Sequence, residues 1–331
     1  MPLQYKAVLI GCGFVAGGYD QKEVPGVIRT HALAYQSSPE VELVAVADAD
    51  SEKAGVFSLR WGVSQVYDDV QEMLAEVQPD IVSICSPDET HEYYLDLCLR
   101  CPSVKGVWCE KPLSLSPQGC DELVEAFRQA GKSLLVNFQR NFTPAFIQLK
   151  DELQSGQYGA IQKVVVYYTK GIIHNGSHAM DLLVDWFGLP DHIQVLSAHV
   201  DYKKTDPTVD AVLMFDEKPV YFMGLNENHY SLFEVHLYTE KSILSLTESG
   251  QILRYKKVRQ QSSESGHKGL ELAVEQGMQL DTAMLDALNS LIDAIENTDR
   301  LIDGKRALVG LKVTHQLAEQ GMKKLYQEDS V

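Results

Sequence analysis

The apolar positions of residues 1–136 fall into short continuous runs, separated by stretches in which apolar residues recur at helical spacing. The runs lie at 6–10, 41–47, 81–85, 106–109 and 133–137. The amphipathic stretches lie at 51–61, 70–77, 91–99 and 117–130. Continuous apolar runs suit strands that are buried on both faces, and their alternation with helices is typical of a parallel sheet. Residues 1–136 are therefore predicted to form an α/β domain.

Residues 137–331 have a different rhythm and are predicted to form a second domain. Alternating β-branched and aromatic segments predict a large, mostly antiparallel open sheet, with strands near 163–169, 193–200, 209–215, 220–225, 232–238, 242–246 and 252–255. Helices are expected near 144–155, 177–187, 282–296 and 305–326. The polar, Ser- and Gly-rich stretch 260–269 predicts a loop.

Composition and charge limit the partners. The chain of 331 residues is 45% apolar and 23% charged, with a formal net charge of −17 and a pI near 5.0. Such a protein repels phosphate backbones and anionic membranes, so neither nucleic acid nor a membrane is an expected partner. The six cysteines show the pattern of free thiols, and Cys98-x-x-Cys101 lies late in a predicted helix without a second pair. With no signal-peptide pattern, a reduced, cytoplasmic protein is expected.

A glycine motif, Gly11-x-Gly13-x-x-Ala16, directly follows the first predicted strand and contains Phe14 and Val15. In a dinucleotide site the first glycine permits the tight turn, the second lets backbone amides approach a pyrophosphate, and the small third residue lets helix and sheet pack closely. The pyrophosphate would then lie at a helix N-terminus. By itself the motif is equally compatible with glycines in an ordinary turn.

A carboxylate at the end of the second predicted strand strengthens the dinucleotide interpretation. Asp48 can accept hydrogen bonds from ribose hydroxyls, and a 2′-phosphate would meet Asp48 and Asp50 with no arginine before Arg60, which favours NAD over NADP. Asp48 lies 35 residues after Gly13 (48 − 13), against about 20 in the usual fingerprint. The extra length predicts an insertion at 17–26, which includes Tyr19 and is expected to reach the substrate.

Four further segments carry a family resemblance. They are Ser86-Pro87-Asp88-Glu89-Thr90-His91, Glu110-Lys111-Pro112, Asn137-Phe138-Gln139-Arg140-Asn141-Phe142 and Gly176-Ser177-His178-Ala179-Met180-Asp181. In this order the chain resembles the glucose–fructose oxidoreductase / inositol dehydrogenase / MocA (Gfo/Idh/MocA) family of NAD(P)-dependent sugar and cyclitol dehydrogenases.

The resemblance implies a Rossmann domain followed by an α/β domain whose open sheet forms the interface of a homodimer or homotetramer, with the C-terminal helix packing back on the first domain. It implies a cofactor cleft lined by Ser86, Pro87, Thr90, His91, Glu110 and Gln139. It also implies that Lys111 lies beside the nicotinamide and that the peptide before Pro112 is cis.

The chemistry expected of these residues is oxidation of a secondary alcohol. Lys111 can stabilise negative charge on the reacting oxygen, and His178 can take its proton because an ordinary histidine titrates near neutral pH. Many family members carry an acid four residues before the catalytic histidine, where this chain has His174. His174 is therefore expected to bind substrate or to share proton transfer. Its spacing with His178 and Asp181 leaves open a metal site.

Further polar residues near the predicted cleft are candidate substrate contacts, although surface or helix-face positions would explain several of them equally well. They are Arg140, Asn141, Tyr168, Lys170, Asn175 and Asp181. The sequence thus predicts an NAD-dependent dehydrogenase, without a metal, acting on a sugar derivative or cyclitol. The alternatives are a non-catalytic dinucleotide-binding regulator and a metal-dependent enzyme centred on His174, His178 and Asp181.

Overall fold

A computed structural model describes residues 5–21, 24–259 and 268–328. Its strands are β1 (Tyr5–Ile10), β2 (Val41–Ala47), β3 (Gln65–Tyr67), β4 (Ile81–Ile84), β5 (Gly106–Cys109), β6 (Ser133–Val136), β7 (Ile161–Tyr168), β8 (His192–Lys203), β9 (Asp206–Phe215), β10 (Lys218–Gly224), β11 (Phe233–Thr239), β12 (Ser242–Thr247), β13 (Ile252–Arg259), β14 (Gly269–Leu270) and β15 (Val274–Gly277). Its α-helices are α1 (His31–Ser37), α2 (Ser51–Trp61), α3 (Val70–Val77), α4 (His91–Arg100), α5 (Cys120–Gln129), α6 (Pro144–Gln154), α7 (Ser177–Phe187), α8 (Ala283–Glu296) and α9 (Lys305–Glu328).

The chain divides into two units. The first comprises Met1–Thr143 and Asp281–Leu308, and the second comprises Pro144–Leu280 and Val309–Val331. The sequence places the boundary after residue 136, whereas the structure divides after Thr143, because Phe142 packs into the core of the first unit. Helix α8 belongs to the first unit, but Val313 and Leu317 of α9 join the core of the second. Residues 305–308, the first turn of α9, thus belong to the first unit, and the rest of the helix belongs to the second.

The first unit is built on a six-stranded parallel sheet in the order β3-β2-β1-β4-β5-β6. This is the Rossmann order, and it reverses between β1 and β4. Side-chain caps start the helices: Thr30 accepts from Leu33 N at α1, Asp50 from Lys53 N at α2, and Asp69 from Gln71 N and Glu72 N at α3. The sequence analysis missed β3, because it is a three-residue, half-exposed edge strand without a continuous apolar run.

The second unit contains a nine-stranded sheet in the order β14-β13-β12-β11-β7-β10-β9-β8, with β15 paired to β13. Neighbouring strands are antiparallel except for β7 and β10, which are parallel. The mostly antiparallel sheet is therefore confirmed. The predicted loop 260–269 lies outside the described residues except for its last two positions, of which Gly269 starts β14.

Each unit has its own apolar core. Trp108 and Tyr35 of the first unit pack with Leu288 and Leu291 of α8. In the second unit, Phe222 and Leu183 are fully buried in the core. None of the described helices combines the length and the apolar character that crossing a membrane requires.

Candidate functional site

The backbone conformation of the turn after β1 requires a glycine at position 11. Gly11 has a φ of +89°, a region that side-chain-bearing residues rarely adopt. A Cβ there would lie 2.7 Å from both the Cys85 carbonyl oxygen and the Ser86 nitrogen, at the end of β4. The turn therefore lies where the strand order reverses, which is the position at which open parallel sheets bind ligands.

The next glycine of the motif fits a dinucleotide for a different reason. A Cβ at Gly13 would have no heavy atom within 4 Å, so the backbone is open to a ligand at that point. Phe14–Gly18 then form one π-helical turn, with Gly18 N donating to the Gly13 carbonyl oxygen over 3.3 Å. The residues present thus fit a pyrophosphate at Gly11 to Val15. The helix that follows is much shorter than the fingerprint implies, because the regular helix α1 begins only at His31.

The Asp48 carboxylate is held beside this turn. It accepts from Cys12 N over 2.7 Å and from Asp50 N over 3.0 Å, and Lys53 Nζ lies 3.1 Å away. Burial would raise the pKa of Asp48, but these hydrogen bonds and the Lys53 charge outweigh burial and lower it. Asp48 is therefore an anion placed where a ribose would lie. Lys53, which follows Asp48 by five residues, was missed in the sequence, because only arginines were considered as partners of a 2′-phosphate.

The inserted segment packs within the first unit. The Asp20 side chain is buried and accepts from Arg29 N and from the Thr30 hydroxyl, while Arg60 donates to the Asp20 carbonyl oxygen over 2.6 Å. Between Gly17–Gly18 and α2 lies a cavity of about 390 Å³ that Asp50, Lys53 and Trp61 help to line. Asp20 thus anchors the described part of the insertion to the N-cap of α1, next to the start of α2. That the insertion reaches the substrate stays a prediction. Tyr19, a predicted substrate contact, is 57% exposed and packs against Phe14.

The segment after β4 forms a tight hydrogen-bonded turn. The Ser86 and Thr90 hydroxyls lie 2.7 Å apart, and Thr90 also donates to the Pro87 carbonyl oxygen. The His91 ring is fully buried, with Nδ1 2.7 Å from the Pro112 carbonyl oxygen and Nε2 3.1 Å from that of Ser86. His91 therefore connects the turns after β4 and β5 from inside the protein. Ser86, Pro87 and Thr90 are partly or fully exposed.

Lys111 is the second residue after β5, and the Lys111–Pro112 peptide is cis, as the family resemblance implies. The neighbouring Glu110 carboxylate accepts from His31 Nε2 over 3.0 Å and from Asn137 Nδ2 over 2.5 Å. Glu110 is therefore anchored inside the domain. The sequence analysis missed His31, although its position just after the N-cap Thr30 of the resumed helix was visible.

The predicted residues after β6 share a single 3-10 turn, Gln139–Phe142. Gln139 and Arg140 are partly exposed, and the Asn141 side chain is buried. Thr143 fixes the turn by donating from its hydroxyl to the Gln139 carbonyl oxygen over 3.1 Å.

In the second unit, His174 and His178 lie on one helical path. His174 belongs to a π-helical turn, Gly171–Gly176, that continues directly into α7, where His178 is the second residue. The buried Asp206 carboxylate accepts from Ile173 N over 2.8 Å and from His174 N over 2.9 Å. Gly171 is required there, because a Cβ would lie 2.2 Å from Asp206. Burial raises the pKa of Asp206.

The rings of the two histidines point to different neighbours. The His174 ring lies 4.8 Å from that of Tyr202, whereas His178 meets Phe233 edge-on at 6.3 Å. Among the described residues, no group of three or more His, Cys, Asp or Glu side chains is arranged to hold a metal ion. The metal-centred alternative built on His174, His178 and Asp181 therefore gains no support from the described residues.

Three predicted substrate contacts are buried or are hydrogen-bonded to the backbone. Tyr168 is fully buried, and its hydroxyl donates to the Val209 carbonyl oxygen and accepts from Val209 N. Asn175 donates from Nδ2 to the Thr169 carbonyl oxygen over 3.0 Å. Asp181 is 1% exposed on α7. The strand alternation of β7 turns the Tyr168 side chain into the core, and its role as a substrate contact stays a prediction.

Comparison with known proteins identifies the class. Residues 5–138 match the model of an oxidoreductase family with an NAD-binding Rossmann fold. A D-glucoside 3-dehydrogenase of Escherichia coli K12 is 32% identical over 156 residues, 47% of this chain and 41% of that protein. An inositol 2-dehydrogenase of Saccharopolyspora erythraea is 32% identical over 152 residues, 46% of this chain and 41% of that protein. The alignments thus span less than half the length of either relative.

The fold likeness extends over the whole chain. The crystal structure of an NAD-binding oxidoreductase from Klebsiella pneumoniae matches with a TM-score of 0.77 at 18% identity and covers 96% of both chains. Residues 5–138 thus match the NAD-binding Rossmann domain of the Gfo/Idh/MocA oxidoreductase family, in agreement with the motif resemblance.

Proposed function

We propose that the protein is an NAD-dependent oxidoreductase that transfers a hydride between a secondary alcohol of a sugar derivative or cyclitol and the nicotinamide. The observation that carries the proposal is the Gly11–Gly13 turn at the strand-order reversal, with the Asp48 carboxylate held beside it. The names of the glucoside and inositol dehydrogenase relatives support the substrate class. Derivatives such as amino sugars and nucleotide-linked sugars are included.

The proposal favours NAD over NADP. The anionic Asp48 suits ribose hydroxyls, which can donate hydrogen bonds to it, and disfavours a 2′-phosphate. Lys53 moderates this preference, because its ammonium lies 3.1 Å from the same carboxylate. The nicotinamide of the cofactor would supply the hydride chemistry. The residues that would hold the cofactor are Gly11, Gly13, Phe14, Val15, Asp48, Ser86, Pro87 and Thr90.

Each catalytic candidate has a distinct role. Lys111 would donate a hydrogen bond to the reacting oxygen and stabilise the negative charge that develops there. His178 would accept the proton that this oxygen loses, since histidine exchanges protons near neutral pH. His174, which replaces the usual acid, would contact substrate from the π-turn that Asp206 fixes.

Turnover of Lys111→Ala and His178→Ala tests these roles. Each variant is expected to lose roughly 100-fold or more in kcat while NAD still binds, as measured by calorimetry. The exposed residues Lys163 and His192 offer matched controls, and their alanine variants should keep wild-type turnover. Wild-type turnover in both test variants would refute the roles. NAD binding without turnover of any sugar or cyclitol by the wild-type protein would favour a non-catalytic regulator.

Assembly through the open sheet is part of the proposal. Strand positions of the second unit expose apolar side chains that include Leu196 (48%), Val200 (44%) and Tyr238 (38%). A second copy of the chain could bury such exposed apolar side chains. A homodimer or homotetramer formed through this face should dissociate in Leu196→Asp, as sedimentation velocity would show.

A further inference from the structure

The buried side chain of His31 lies at the centre of a polar network in the first unit. The ring is fully buried, with Nδ1 2.8 Å from the Ser83 hydroxyl and Nε2 3.0 Å from Glu110 Oε1. The Tyr35 hydroxyl lies 2.5 Å from the same Ser83 oxygen. The Trp108 ring covers the imidazole, with ring centroids 3.9 Å apart. The ring is therefore fixed on both of its edges and on one face.

The chemistry of these partners fixes the direction of the bond to Glu110. An ionised carboxylate only accepts hydrogen bonds, so His31 Nε2 must carry a proton and donate it. Asn137 Nδ2 donates to the same Oε1 atom over 2.5 Å. Two donors from α1 and from the end of β6 thus converge on one carboxylate oxygen at the end of β5.

Glu110 is charged in spite of its surroundings. Burial would raise the pKa of Glu110, but the hydrogen bond and charge of His31, the Asn137 bond and the Lys111 charge together lower it. The neighbouring thiols Cys85 and Cys109 stay neutral, because burial raises the pKa of both. Two groups therefore stabilise the Glu110 anion by their charge. They are His31, which also donates a hydrogen bond to it, and Lys111. A charge interaction is mutual, so the anion in turn stabilises the Lys111 ammonium.

We propose that His31 is a positioning residue for the reaction: its bond to Glu110 fixes that carboxylate and the backbone that carries Lys111, and the fixed anion favours the charged Lys111 ammonium. The inference rests on the proposed function, in which Lys111 acts on the reacting oxygen. His31 itself touches no reacting atom, since its ring is buried among Ser83, Trp108 and Glu110. It acts through Glu110, the residue that precedes Lys111 in the chain.

A matched pair of substitutions tests this role. Both His31→Gln and His31→Asn remove the ring that stacks on Trp108. Glutamine places its amide nitrogen near the position of Nε2 and can still donate to Glu110, whereas asparagine reaches only toward Ser83. With the positioning role, kcat/KM for the sugar or cyclitol falls roughly ten- to hundred-fold in His31→Asn. His31→Gln regains most of that loss, and the affinity for NAD stays unchanged in both.

A second measurement is independent of turnover. Lysine side chains are labelled by reductive ¹³C-methylation, and the Lys111 signal is assigned by its absence in Lys111→Arg. The Lys111 titration midpoint should fall in His31→Asn and return toward the wild-type value in His31→Gln. Glu110→Gln, which keeps the shape but loses the charge, should lower the midpoint as well. Glu110→Gln provides the test of the positioning role if His31→Asn does not fold.

The outcomes separate the two proposals. Equal losses of kcat/KM and of thermal stability in His31→Gln and His31→Asn, with an unchanged Lys111 midpoint, would overturn the positioning role. An unchanged midpoint in Glu110→Gln would overturn it too. If the wild-type protein oxidised no sugar or cyclitol, the proposed function would fail, and the Lys111 titration would still decide whether His31 acts on that ammonium.

Discussion

The two units hold their candidate residues in different ways. In the first unit, Gly11, Asp48 and Lys111 each lie within two residues of the end of a parallel strand, and these ends meet at one edge of the sheet. In the second unit, His174 and His178 lie on a π-turn and the helix that continues it. A strand end fixes where a side chain lies through the backbone alone. A helix position depends on its phase, which a single π-turn changes.

The largest effects on the strand-end site of the first unit are expected from substitutions of its two glycines. Gly11→Ala should destabilise the protein by about 3 kcal/mol, because it combines a strained φ with a clash against backbone atoms at the end of β4. Gly13→Ala should cost less than about 0.5 kcal/mol, since its Cβ meets open space. It should nevertheless weaken NAD binding roughly ten-fold by blocking backbone approach.

Urea unfolding and calorimetric titration with NAD measure both effects. Equal stability losses in the two variants would mean that the turn is not packed against β4 as the structure has it. Unaltered NAD affinity in Gly13→Ala would remove the support that this turn gives to the cofactor site.

Two adjacent tyrosines on β7 test how the second unit places its side chains. Tyr168→Phe should cost about 2 kcal/mol, because both the Val209 N–H and the Val209 carbonyl would lose a buried partner. Tyr167→Phe, on the opposite face beside His236, should cost less than about 0.5 kcal/mol. Thermal unfolding compares the two. A raised KM for the sugar or cyclitol with wild-type stability in Tyr168→Phe would instead restore Tyr168 as a substrate contact.

The contrast explains what the sequence could predict. Apolar runs and glycines predicted the parallel sheet, the turn at Gly11 and the position of Lys111, since these depend on local backbone geometry. The phase of Tyr168 and the π-turn at His174 depend on packing with β9 and with Asp206, which are more than 30 residues away along the chain. The contact between His31 and Glu110 was missed for the same reason, because no spacing rule joins residues 79 positions apart.

Cofactor preference is expected to respond more weakly, because it depends on the charges of Asp48 and of Lys53, whose side chain is 46% exposed. Asp48→Asn should reduce the preference for NAD over NADP roughly ten-fold, since the anion that repels a 2′-phosphate is lost. Lys53→Ala should increase that preference by a few-fold at most, as expected for an exposed ion pair. Dissociation constants for NAD and NADP give the ratio for each variant. A shift in the same direction in both would show that Lys53 does not act through Asp48.

The smallest expected effect is the pH dependence of stability that Glu110 contributes. The pKa of Glu110 is lowered in the folded protein, so its contribution is complete above the ordinary glutamate pKa and is lost as the pH falls through the lowered value. The net gain is small, because burial opposes the bonds from His31 and Asn137. Urea midpoints measured from pH 7 to pH 3.5 should therefore decline slightly less steeply in Glu110→Gln than in the wild type. A steeper decline in the variant would mean that Glu110 is protonated in the folded state, and that the network around His31 holds a neutral acid rather than an anion.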